Sequence, residues 1–186
     1  MHANVDGESL TASEYASFFI LLVVAGNETT RNTTAHGVWQ LALDPSQRAA
    51  WLADLEAVTP TAVEEIVRYG SPVIHMRRTA TRDTVLGEQA IRAGDKVVLW
   101  FQSANRDERA FDEPDRFDVR RSPNDHVGFG AGGPHFCLGA NLARRELTAI
   151  FRQLLTELPG LEVTGDPAFL RSPFINGIKH LPVRVR

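Results

Sequence analysis

A single cysteine in 186 residues, Cys137, excludes a disulfide framework and fits a reducing compartment. It also argues against structural zinc, which draws several Cys or His ligands from the protein. Long hydrophobic runs are missing too. The most apolar stretch, Phe18 to Ala25, falls far short of the roughly 20 residues a membrane-spanning helix needs. No basic stretch precedes an apolar core in Met1 to Asp6, so no secretory signal and a cytoplasmic location are expected. The net charge of -3 lacks the basic footprint of a nucleic-acid binder. There is no internal repeat and no low-complexity tract. The chain does have 43% hydrophobic and 23% charged residues, enough for one packed core.

The cysteine stands behind a glycine-rich loop, His126-Val127-Gly128-Phe129-Gly130-Ala131-Gly132-Gly133-Pro134-His135-Phe136-Cys137-Leu138-Gly139. A helical pattern follows through Leu142, Leu147, Ile150, Phe151, Leu154, Leu155 and Leu158. A sulfur at a helix N-terminus meets unpaired N–H groups and the positive end of the macrodipole, which favour thiolate. The glycines let the backbone approach a flat, bulky group. One thiolate held this way suits a single axial bond to a metal that brings its other ligands, as haem does. A cysteine hydrolase would need a His as base; His135 is too close in sequence, while His36, His75 and His180 stay open.

Upstream, Thr11-Ala12-Ser13-Glu14 reads as a capping box that opens a helix reaching Leu43. That is ~32 residues and ~48 Å. Phe18, Leu21, Leu22, Ala25 and Thr29 share one face. The polar turn Ala25-Gly26-Asn27-Glu28-Thr29-Thr30 interrupts it, and Thr29 can bond the carbonyl of Ala25 and bend the helix. A second helix is expected over Pro45–Ala57. A third should begin with Thr59 as N-cap and Pro60 at the first helical position, and stop at Gly70-Ser71-Pro72. From Ser71 to Phe101 short strands are expected, turning at Ala93-Gly94-Asp95.

The cysteine loop resembles the haem-binding signature of the cytochrome P450 superfamily, Phe-Gly-x-Gly-x-(His/Arg)-x-Cys-x-Gly, with one residue more between Phe129 and Cys137. Gly133, His135, Cys137 and Gly139 keep the family register, and the extra residue leaves the seat of the Phe129 ring open. The turn at Ala25 resembles the family's oxygen-binding turn, (Ala/Gly)-Gly-x-(Asp/Glu)-Thr. The resemblance implies a mainly α fold with small β-sheets, the C-terminal half of the P450 fold over residues 1–186, from the long central helix to a terminal hairpin. Members carry a further half before that helix, so this chain alone is expected to hold haem weakly.

It further implies haem b ligated by Cys137, room beside it at Ala25, and proton delivery by Glu28 and Thr29. Arg78 (or Arg77), His126 and His135 would bind the propionates. Glu65, Arg68 and Arg116 would form a structural ion-pair network. Val73, Ile74 and Phe174 would line the substrate pocket. The implied reaction is hydroxylation of an apolar substrate (a sterol, branched lipid or terpenoid) with O2 and electrons relayed by a ferredoxin and its reductase; the Asn27–Asn32 turn and the longer cysteine loop resemble actinobacterial members. A non-catalytic haem-binding fragment and a peroxide-using haem-thiolate enzyme are the alternatives.

Overall fold

The computed structural model describes Asn4 and residues 7–185, so the reading of Met1 to Asp6, Asn4 aside, falls outside the described residues. Helix α1 spans Ala12–Leu43 without a break. Its capping box is formed: Thr11 Oγ1 accepts from the Glu14 N–H at 3.2 Å and Glu14 Oε2 accepts from the Thr11 N–H at 2.9 Å. The helix has two unlike halves. Phe18, Leu21 and Leu22 are exposed, so the expected apolar face is uncovered among the described residues. The buried stripe is Asn32, Thr33, His36, Gly37 and Leu41.

Helix α2 covers Pro45–Ala53, with the Asp44 carboxylate accepting from the Ser46 N–H. Helix α3 covers Leu55–Gly70. The expected start of the third helix at Thr59 is therefore wrong, and so is the extension of the second to Ala57. Asp54 is the cap, its carboxylate taking the Ala57 N–H at 3.1 Å. The Thr59 hydroxyl serves instead inside the helix, donating to the Leu55 carbonyl and accepting from the Trp51 indole. Pro60 sits in the second turn, where it forgoes a bond to the exposed Glu56. As expected, α3 stops at Gly70, with Ser71 left-handed at φ 37°.

Strand β1 (His75–Thr79) pairs antiparallel with β4 (Lys96–Trp100). Between them β2 (Thr84–Leu86) and β3 (Gln89–Ile91) form a hairpin around Gly87, at φ 60°. The expected turn at Ala93-Gly94-Asp95 separates β3 from β4. After the short helix α4 (Phe101–Ala104) a long irregular loop leads to α5 (Ala140–Glu157). Two ladders close the chain: β5 (Glu162–Val163) with β8 (Val183–Arg184), and β6 (Ala168–Phe169) with β7 (Ile178–His180).

The core lies where α1, α2, α3 and α5 meet, through Leu41, Trp51, Val63, Ile66, Leu147, Phe151 and Leu155. Trp51 and Phe151 stack at 5.3 Å. Helix α1 approaches through Gly37, where a Cβ would stand 2.5 Å from Phe151 Cζ and 2.9 Å from Ile66 Cδ1. The α5 pattern is buried at Leu147, Phe151 and Leu155, but Leu142, expected on that face, is exposed beside the cysteine loop.

Candidate functional site

The loop before α5 is shaped by its own backbone. The Gly130 N–H donates to Val127 O at 2.8 Å, the Cys137 N–H to Phe129 O at 3.0 Å and the Phe136 N–H to Gly133 O at 3.1 Å. Gly130 and Gly133 turn at φ 87° and 88°, open to glycine without strain. Gly139 is the N-cap of α5, and its absent Cβ would lie 4.0 Å from the Cys137 sulfur. Cys137 is exposed and stands one turn ahead of the helix rather than in it. The macrodipole weakens within about the first turn, so the loop geometry carries more of the sulfur's placement than the helix end does.

Two adjacent glutamates on α3 hold this loop in place. Glu65 and Arg68, both fully buried, pair through Nε–Oε2 at 2.7 Å and Nη2–Oε1 at 2.8 Å. Arg68 also donates to the carbonyls of Asn105, Pro114 and Arg116. Asn105, itself buried, takes the Val127 N–H on its side-chain oxygen at 2.8 Å, which ties the network to the start of the cysteine loop. The third charged partner is Arg121, whose Nε lies 3.2 Å from both Glu65 oxygens. This corrects the expectation for Arg116. Its guanidinium turns outward to the exposed Glu113, and only its backbone carbonyl joins the network.

Glu64, one residue earlier, holds the other side. Arg144 on α5 forms a two-pronged pair with it at 2.6 and 2.8 Å. His126 donates through Nε2 at 3.0 Å, with Nδ1 accepting from the Gly128 N–H at 3.0 Å. Burial raises the Glu64 pKa, but these two bonds outweigh it and hold the carboxyl at about 2. Both His126 nitrogens are thus engaged and its side chain is 2% exposed, so the expectation that it binds a propionate is corrected. Phe129 packs against the core with the Arg144 guanidinium 4.5 Å from its ring centroid, which fixes the seat the extra residue left open.

In α1 the Thr29 hydroxyl donates to Ala25 O at 2.7 Å, the bond expected from spacing. Glu28 pairs with Arg31 at 2.7 Å and is half exposed. Asn32 binds Glu28 O at 2.8 Å and accepts from the Ile178 N–H at 3.1 Å, joining the helix to the terminal hairpin. His36 donates to Asn176 O at 2.9 Å; burial lowers its pKa, partly offset by that bond. Ile74 donates its N–H to Phe174 O at 2.9 Å and Val73 bridges Ile175, so Val73, Ile74 and Phe174 do come together.

The chemistry of the donor set fits haem. Among the described residues no group of three or more His, Cys, Asp or Glu could hold a metal, so an ion bound at Cys137 would have to bring its other ligands. Phe136 and Leu138, which flank Cys137 in the chain, and Leu142 in the first turn of α5 are exposed apolar side chains suited to a flat apolar face. Among the described residues Arg78 donates only to the Arg77 carbonyl, and the His135 ring is exposed, so both retain donors for carboxylates. Sequence reading missed Glu64, Asn105, Arg121 and Arg144. The one available signal was the Glu64-Glu65 doublet set between core residues Val63 and Ile66.

Comparison with known proteins agrees. The family model for cytochrome P450 matches residues 52–159. A methyl-branched lipid omega-hydroxylase of Mycobacterium tuberculosis is 58% identical over 98% of this chain and 43% of that protein. A steroid C26-monooxygenase of Rhodococcus jostii is 46% identical over 98% of this chain and 38% of its own length. A Mycobacterium marinum cytochrome P450 solved with pseudoionone superposes with a TM-score of 0.94 at 52% identity, covering 98% of this chain and 44% of that one. The chain thus spans about two fifths of the length of these relatives. A glycine-turned cysteine loop clamped to α3, the small sheets and the terminal hairpin, together with these matches, show that the chain belongs to the cytochrome P450 family, with haem b as its cofactor and the C-terminal part of that family's fold.

Proposed function

We propose that residues 1–186 are the C-terminal, haem-carrying part of a monooxygenase that hydroxylates a branched apolar substrate. The observation that carries this is the exposed Cys137 thiol in a loop held from α3 by Glu64 and Glu65. When bound, haem b would supply the centre that activates dioxygen, and Cys137 would hold it through Sγ. Gly133 and Gly139 leave space at the loop, and Arg78 and His135 would hold the haem propionates. The Glu28 carboxylate, half exposed, exchanges protons with solvent. The Thr29 hydroxyl, held on Ala25 O, would pass a proton on toward the reacting centre. Val73, Ile74 and Phe174 form an apolar wall that orients the substrate and excludes water.

The relatives' names support a methyl-branched lipid or a steroid as substrate, and the pseudoionone complex supports a terpenoid. Electrons come from a ferredoxin and its reductase, and the protein works in the cytoplasm; no described helix is long and apolar enough to cross a membrane. The exposed Phe18–Val24 stretch favours a second reading, in which this segment alone holds haem without turning over.

Haem reconstitution, reduction and carbon monoxide test the ligand. The thiolate-type Soret band should form and be lost in Cys137→Ser; a serine variant that keeps the band refutes the assignment. In the full-length protein, ω-hydroxylation of a methyl-branched fatty acid should exceed that of its straight-chain isomer. Equal turnover of the two would refute the substrate class.

A further inference from the structure

Glu64 and Arg144 form a charge pair immediately behind the Phe129 ring. We propose that this pair sets the electrostatic potential at the Cys137 sulfur, with Arg144 supplying positive charge and Glu64 acting as the positioning residue that orients and neutralises it. The inference rests on Cys137 being the axial ligand.

Three observations converge on it. The Arg144 guanidinium lies 4.5 Å from the Phe129 ring centroid, and the Phe129 carbonyl accepts the Cys137 N–H at 3.0 Å. The Glu64 carboxylate grips the guanidinium by both edges, at 2.6 and 2.8 Å, from a helix 80 residues away in sequence. Glu64 also takes the His126 Nε2–H, and His126 Nδ1 takes the Gly128 N–H, so one carboxylate fixes the backbone just before Phe129 and the cation on its ring. The Arg144 pKa is raised first by the Glu64 bond; burial opposes this, and the charges of Glu64 and Cys137 add to it. A cation felt at the sulfur is felt by an electron arriving at the centre bound to it.

The sign of the effect follows. Reduction adds negative charge, so an unneutralised Arg144 favours the reduced state and Glu64 opposes it. In the haem-loaded full-length protein, Glu64→Gln should move the midpoint potential upward, Arg144→Gln should move it downward, and the double variant should return toward wild type. A scaffold role for the pair predicts shifts of the same direction in both single variants, together with faster amide exchange at Gly128 and Cys137. Same-direction or absent shifts overturn the proposal.

If Glu64→Gln loses haem, Arg144→Lys replaces it in the comparison. The lysine keeps the charge and should stay nearer wild type than Arg144→Gln; equal potentials in the two overturn the proposal. A wild-type protein without the thiolate-type carbon monoxide band would overturn the ligand assignment and this proposal with it. A normal band with unshifted variants overturns the proposal alone.

Discussion

Removing the Glu65 carboxylate tests the framework on which the cysteine loop rests. In Glu65→Ala the Arg68 guanidinium is left fully buried without its charge partner, while Arg121, the Asp118 N–H and Asn124 each lose an acceptor. Breaking a buried pair from one side costs about 3–5 kcal/mol, a large part of a total stability of about 5–15 kcal/mol. At about 2–4 °C per kcal/mol, the melting temperature should fall by about 6–20 °C. Arg121→Ala should cost about 1.5–3 kcal/mol, because Glu65 keeps Arg68, Asp118 and Asn124. Arg116→Ala should cost far less than Arg121→Ala, since Arg116 and Glu113 are 54% and 62% exposed and solvent screens their pair. Urea unfolding of the three variants, compared at constant m-value, measures this order. An Arg116→Ala cost equal to that of Arg121→Ala would refute the assignment of Arg121, and a Glu65→Ala cost below about 1 kcal/mol would refute the buried network as a source of stability.

Glu64 has a folded pKa of about 2, below its ordinary 4.5, so its contribution is fully present above pH 4.5 and lost as pH falls through about 2. Glu64→Gln should therefore flatten the acid limb of unfolding midpoint against pH within that window; an unchanged slope would contradict the depressed pKa. Gly37→Ala should destabilise by about 1–3 kcal/mol through overpacking against Phe151 and Ile66, measurable by thermal melting. In a chain completed with a compatible N-terminal half, the proposed relay predicts that Thr29→Ala still consumes NAD(P)H while releasing more peroxide per product. An unchanged ratio would reject the proton relay.

Much of this protein is determined by local sequence. Thr11 and Glu14 form their capping box from residues three apart, and Thr29 reaches Ala25 from four apart, so helical geometry alone dictates both contacts. The turn of the cysteine loop follows from glycines that permit positive φ. The family signature around Cys137 is local in the same sense. The α3 start was misread locally, since Asp54 and Thr59 are both competent caps. What separates them is the Trp51 indole, which packs in the core and claims the Thr59 hydroxyl.

The partners of the charged groups were decided by tertiary structure. Nothing in the spacing distinguishes Arg116 from Arg121 as the partner of Glu65, because the choice depends on how the loop after α4 folds back over α3. His126 reads as a propionate donor in a linear motif, yet the packing of α5 on α3 brings Glu64 within reach and turns the ring inward. Arg144 and Glu64, 80 residues apart, have no sequence signature as a pair. Helical and turn geometry is fixed within about one turn of chain, so residues carry it wherever they sit. A buried charge must instead find an opposite charge or hydrogen-bond donors among whatever the fold brings beside it, and only the packed chain determines which those are.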